Sequence, residues 1–344
     1  MTKQLDGVFE GGGVRGIGLV GALSVIEEAG YEFVNLAGTS AGAIVATLMA
    51  AGYRAAEIKT IINGIDFKRM TDDTGFGRVP LVGKWVELLV HDGMYRGDYL
   101  LNLIRDLLAQ KGKRKFGELL TPQFESQPPY RFKVRVVASD ISRGRMVVLP
   151  DDIADYGLVP EELEIALAVR MSMSIPFFFR PVKQTKPGGG KSFVVDGGVL
   201  SNFPVELFDS PGEPEWPTFG FRLVQSATSP ILEHRIRGPI SMLRALFETM
   251  TEAHDARYIE THNFVRTITI DTHGIPATRF ALSLDEKTLL YDSGAQAARD
   301  FLSQWDFSAY KLTFRSGAPP PSRRDTMHAA LAGIEGMAQH RCGE

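Results

Sequence analysis

Ser40 stands in Gly38-Thr39-Ser40-Ala41-Gly42, a G-x-S-x-G pattern between a short apolar run and a long helical stretch. A serine in that setting is a nucleophile candidate, because a sharp strand-to-helix turn projects its hydroxyl at the edge of a sheet. Gly38 and Gly42 keep side chains from colliding where the strand and helix pack. The helix expected from Ala41 aims its N-terminal amides at developing negative charge. Attack on an ester carbonyl is the chemistry this suits. The oxyanion so formed is stabilised by preorganised backbone N–H groups.

A source of such groups lies upstream, where residues 8–18 read VFEGGGVRGIG. A bare Gly11-Gly12-Gly13 turn at the carboxyl end of a neighbouring strand can point its amides at Ser40, as Ala41 can from the helix. Arg15 adds positive charge there or anchors the loop to a carboxylate, and Gly16 opens the next helix. The same glycines admit a second reading, since Gly11, Gly13 and Gly16 match the dinucleotide fingerprint G-x-G-x-x-G. That fingerprint requires an acidic residue at the end of the second strand. The strand over 33–38 ends in AGTSAG instead, and Glu32 precedes it, so the dinucleotide reading fails.

A serine hydroxyl is a weak nucleophile and needs an adjacent base. Of seven histidines, only His273, in IDTHGIP, fits loosely the loop position a hydrolase triad would use. The stretch VVDGG offers Asp196 at the carboxyl end of an apolar strand, with Gly197 and Gly198 letting the chain turn away. Parallel strands put their carboxyl ends on one edge, which places Asp196 on the rim of Ser40. Asp140, in VVASDI, is a rival without the flanking glycines. Asp196 is the favoured base, and because an aspartate of ordinary pKa near 4 is a feeble one, either its environment is unusual or the serine's proton is well aimed.

The elements that must hold these residues alternate. Strands are expected over 5–9, 33–38, 131–141 and 191–198, and buried or amphipathic helices over 16–30, 40–52 and 160–174. This predicts an α/β fold, a three-layer sandwich with a mostly parallel central sheet flanked by helices. Beyond residue 225 the pattern turns helical, with a further strand over 264–271. A long helix over 283–305 opens with the capping box Ser283 and Glu286. Residues 5–210 read as the catalytic core, 211–312 as the C-terminal part of the same domain, and 313–344 as a linker with a short tail helix.

The 344 residues are 44% apolar and 23% charged, with a net charge of −3, so nothing argues for nucleic acid as a partner. The single cysteine, Cys342, excludes a disulfide framework. The N-terminus lacks a signal peptide's apolar stretch. The longest apolar run, residues 41–52, falls short of the roughly 20 residues that span a bilayer. The expectation is a cytoplasmic chain that meets a membrane only at its surface.

Taken together, the motifs resemble the patatin-like phospholipase family. That family combines a G-G-G-x-R/K-G oxyanion loop, a G-x-S-x-G serine and a D-G-G/A aspartate in this order, and works without a histidine. Residues 170–182 (RMSMSIPFFFRPV) and 196–205, with Asn202 and Pro204, are also similar to it, and the resemblance covers roughly residues 5–210. It implies a metal- and cofactor-free Ser40–Asp196 dyad, with an oxyanion hole from Gly12 and Gly13 joined by Ala41. The implied substrate is a lipid acyl ester, hydrolysed through an acyl-enzyme at a transiently visited membrane or micelle surface. An acyltransferase or thioesterase could use the same dyad, and a silent interaction module stands as an alternative from another class. Residues 75–97 suit either a lid at the lipid interface or a core insertion. Residues 175–179 suit either an acyl pocket or plain core.

Overall fold

The computed structural model describes residues 3–65, 93–124, 130–209, 212–225, 261–277, 279 and 282–315, with isolated positions between 236 and 250. Most of the expected lid stretch, the expected helices over 229–262 and the tail beyond residue 315 lie outside the described residues. None of the described helices is long and apolar enough to cross a membrane.

The chain opens with β1 (Lys3–Phe9), α1 (Gly16–Glu28), β2 (Tyr31–Thr39) and α2 (Ala41–Ala50). The apolar residues of α1 surround the helix, so it has to be covered on more than one side. The sheet covers one side and α6 (Leu284–Gln304) another, where small residues let the two helices approach closely. α6 starts where expected: Ser283 Oγ accepts the Glu286 N–H at 3.2 Å, and the Glu286 carboxylate accepts the Ser283 N–H at 2.8 Å. A Cβ on Gly294 would overlap the Gly18 carbonyl oxygen, and one on Gly21 would overlap that of Tyr291. Both obstacles are backbone. Gly294→Ala is therefore expected to destabilise the fold by about 1–3 kcal/mol, the usual cost of overpacking. Thermal unfolding would show it as a lower Tm.

The remaining strands are β3 (Gly93–Tyr95), β4 (Val134–Asp140), β5 (Arg145–Leu149), β6 (Phe177–Phe179), β7 (Val182–Thr185), β8 (Lys191–Asp196), β9 (Thr218–Val224) and β10 (Thr267–Asp271). The main sheet runs β10-β9-β1-β2-β4-β8-β7, with β5 also paired to β4, while β3 and β6 form a separate two-stranded ribbon. From β10 to β4 the strands are parallel. β5, β7 and β8 are antiparallel to their neighbours, so the sheet is mixed. The main core lies on the face bearing α1 and α2 and includes Leu5, Phe9, Leu36 and Phe221. Val8 and Ala37 point to the other face and pack under Phe203, Val205 and Phe208.

Three expectations need correction. The strand carrying Asp196 is antiparallel to β4, so a shared carboxyl edge is not what brings it to Ser40. Glu32 lies inside β2, paired with Gln4, rather than before it. It is still at the strand's start, where a ribose-binding acid has no use. The helix expected over 160–174 is split into a turn at Pro160–Glu162 and α5 (Ile165–Ser172). β9, which pairs directly with β1, was not anticipated. Its two buried phenylalanines flank Gly220, and so short an apolar run gives no period to read.

Candidate active site

Register explains how Ser40 and Asp196 meet. β4 pairs with β2 as far as Thr39↔Val137 and with β8 from Ala138↔Asp196. β5 pairs with Val136 through Asp140 and so occupies the opposite edge of β4. β2 and β8 therefore lie end to end along one edge. Where β2 breaks away at Ser40, β8 terminates at Asp196. Gly197 sits in the crowded join, where a Cβ would lie 2.5 Å from the Val137 oxygen and 2.7 Å from Thr39 Cγ2.

Ser40 is 5% exposed and holds φ 52°, ψ −121°, a conformation uncommon for a residue with a side chain. Its carbonyl accepts the Ala43 and Ile44 N–H groups and so starts α2. Its N–H donates to Ser172 Oγ at 2.8 Å, and its hydroxyl donates to Met173 Sδ at 3.3 Å. Asp196 is buried, and its N–H donates to the Ser174 carbonyl at 2.9 Å. Its Oδ1 accepts the Gly198 N–H at 2.8 Å, while Oδ2 has no hydrogen-bond partner among the described residues. Burial pushes the carboxyl up to about 7, opposed by the Gly198 N–H and the nearby Ser40 hydroxyl. Desolvation is the largest cause of the shift.

The glycine loop lies beside the elbow because β1 pairs with β2, Phe9 opposite Gly38. Asn202 pins it: its main-chain carbonyl accepts the Gly11 N–H at 3.3 Å, and its Nδ2 donates to the Gly11 carbonyl at 3.1 Å. The Glu10 carboxylate beneath accepts from Asn202 Nδ2 and from the Leu223 N–H of β9. The amides of Gly12, Gly13 and Ala41 have no acceptor among the described residues, whereas that of Gly11 is used. Arg15 is 8% exposed and its Nε donates to the Gly12 carbonyl at 3.3 Å, an anchoring contact within the loop. A Cβ on Gly16 would lie 3.2 Å from that of Ala41, so the starts of α1 and α2 pack together.

The rivals of Asp196 are engaged elsewhere. Asp140 Oδ1 accepts the Ser142 and Arg143 amides, and Oδ2 accepts the Tyr156 hydroxyl at 2.8 Å. His273 follows the outer strand β10, with its Nδ1 3.5 Å from the Asp271 carboxylate and its side chain 38% exposed. Among residues 175–179, Phe179 is core, while Phe177 is exposed and holds φ 67°. Ser172, Met173 and Ser174 were missed as individuals, because nothing in a sequence shows which serine of a helix end faces a distant turn. Among the described residues, no three His, Cys, Asp or Glu side chains group as metal ligands.

Comparison with known proteins adds to this geometry. A model of the patatin-like phospholipase family matches residues 7–209. The uncharacterized protein YqhO of Bacillus subtilis (strain 168) is 42% identical over 305 residues, spanning 88% of this chain and 99% of that protein. A probable lipid hydrolase, 463L, of Invertebrate iridescent virus 6 is 24% identical over 208 residues, 58% of this chain and 61% of its own. Among solved structures, VipD from Legionella pneumophila superposes with a TM-score of 0.52 at 18% identity, covering 88% of this chain and 67% of that one, a likeness of fold.

Proposed function

Because the chain belongs to the patatin-like phospholipase family, we propose that it is a serine lipid acyl hydrolase working through a Ser40–Asp196 dyad. The observation that carries this reading is the buried Oδ2 of Asp196 beside the Ser40 hydroxyl, with no hydrogen-bond partner among the described residues. Ser40 Oγ attacks the ester carbonyl and its proton passes to Asp196, which requires the hydroxyl to turn from Met173 Sδ to Oδ2. The oxyanion is held by the amides of Gly12, Gly13 and Ala41. Asp196 then protonates the departing alcohol, leaving an acyl-enzyme. In the second half-reaction Asp196 takes a proton from water as the water oxygen attacks the acyl carbon. The tetrahedral intermediate then collapses, the C–Oγ bond breaks, Asp196 returns the proton to Ser40 Oγ, and the carboxylic acid leaves. The substrate is an acyl ester of a phospholipid, lysophospholipid or neutral glyceride, met at a membrane or micelle surface.

The ionised form of Asp196 is the base, so activity requires a pH above its pKa. For p-nitrophenyl acyl esters with chelator present, kcat/KM is expected to rise with pH and level off above an apparent pKa near 7. An ordinary carboxylate would place that limb near 4. A profile flat from about pH 5 to about pH 9 would mean that no base with the raised pKa of the buried Asp196 limits the reaction. Inertness toward every acyl ester and lysophospholipid tried would overturn the hydrolase itself.

A further inference from the structure

The hydroxyl of Ser172 occupies a place that belongs, by register, to a β-ladder. In a parallel pair each N–H of one strand bonds a carbonyl one residue before its partner, with a two-residue period. Leu36, opposite Val134, donates to the Lys133 carbonyl at 2.9 Å. Two periods on, the Ser40 N–H would donate to the Val137 carbonyl. Ser172 Oγ stands between these two groups, accepting the Ser40 N–H at 2.8 Å and donating to the Val137 carbonyl at 2.5 Å. The side chain is fully buried.

From this the geometry points to Ser172 as a positioning residue: its hydroxyl, inserted into the last rung of the β2–β4 ladder, holds the backbone of Ser40 in the turn that presents Oγ to Asp196. A direct rung would draw Ser40 back into line with β2. Without any acceptor, the Ser40 N–H is a buried unpaired donor in a strained turn, which costs free energy and frees the turn to relax. The hydroxyl satisfies both ladder groups while spacing them apart. Its neighbours extend the hold to the other half of the pair, since the Ser174 carbonyl accepts the Asp196 N–H. Arg170 steadies that end of α5 by donating to Ser174 Oγ at 2.5 Å and to the Arg180 carbonyl at 2.9 Å. Ser172 touches no reacting atom, so its effect falls on the reach of Oγ and not on the basicity of Asp196.

The inference rests on Ser40 as nucleophile, and the test separates the two. Hydrolysis of a p-nitrophenyl ester would be followed for wild type, Ser40→Ala and Ser172→Ala across pH. Ser192→Ala serves as a control, because Ser192 Oγ is buried on β8 with no hydrogen-bond partner among the described residues. Ser172→Ala is expected to lose about 10- to 100-fold in kcat, the range a misplaced reacting group produces. KM and the acid limb near 7 should stay where they are, and Ser192→Ala should behave as wild type. Labelling of Ser40 by a fluorophosphonate, measured per folded molecule, should slow in parallel. A kcat within about 2-fold of wild type would overturn the inference. So would an acid limb moved toward 4, the sign of water reaching Asp196 through a loosened core. Should Ser172→Ala fail to fold, Ser172→Thr and Ser172→Val decide, as they match in shape and differ in the hydroxyl. Thr must then outpace Val, and equal rates reject the role. Activity surviving in Ser40→Ala would instead reject the nucleophile, and this inference with it.

Discussion

Asp196→Asn is expected to lower kcat for ester hydrolysis by about 10³-fold or more, toward the upper end of what one positioned general base contributes. The amide oxygen can still accept the Gly198 N–H, so the turn after β8 should survive while the proton acceptor is lost. Ser40→Ala should fall to the same floor, because members of one catalytic unit are not additive. His273→Ala should turn over as wild type, since that side chain stands at the far edge of the sheet against Asp271. A dead His273→Ala beside an active Asp196→Asn would reinstate a histidine base.

The same substitution should reveal what the base costs the fold. Burial raises the Asp196 pKa from 3.8 to about 7, so between those values the folded state holds a proton that the unfolded chain has released. Stability is fully present below about 3.8 and is lost as pH rises through about 7. A shift of this size corresponds to something on the order of 4 kcal/mol. Asp196→Asn removes the buried charge and should therefore melt above wild type on the alkaline side of neutrality, with the gap closing in acid. Equal Tm values at both ends would mean that Asp196 is not desolvated as described.

Gly42→Ala is the second substitution expected to be severe. A Cβ there would overlap the Phe9 carbonyl oxygen and lie 2.6 Å from that of Glu10, both backbone atoms leading into the glycine loop. Neither can rotate away, so α2 and β1 must separate and carry the amides of Gly12 and Gly13 away from Ser40. The expected result is destabilisation of about 3 kcal/mol, at the upper end of overpacking, together with loss of most activity in the folded fraction. Gly64→Ala is the matched control. It ends α3 (Ala55–Gly64) with nothing within 4 Å of the added carbon, and should be neutral or stabilising. Chemical denaturation of the two variants would compare them directly.

The residues proposed to do the chemistry were legible because the demands on them leave a local pattern. Gly38 reflects how closely β2 and α2 pack, whereas Gly42 makes room for the backbone of Phe9 and Glu10 and Gly197 for Val137 and Thr39. Each demand fixes a bare residue at a set distance from the candidate side chain, whichever part of the chain imposes it. The capping box of α6 and the wholly apolar α1 were readable for the same reason. Strands such as β5 and β9 were not, because five and seven residues carry little periodicity, and β9 pairs with β1, which is remote in sequence.

By itself, then, the sequence determined the α/β class and the family, and it marked the serine elbow, the bare glycine loop and Asp196 as the proposed site. It could not determine how Asp196 arrives. That was decided by β8 entering antiparallel and ending on the edge of β4 where β2 leaves it, a matter of long-range pairing that no local pattern encodes. The raised pKa of Asp196 and the place of Ser172 in the ladder follow from the same event. Desolvation and a shared hydroxyl exist only once chains distant in sequence have closed around one point.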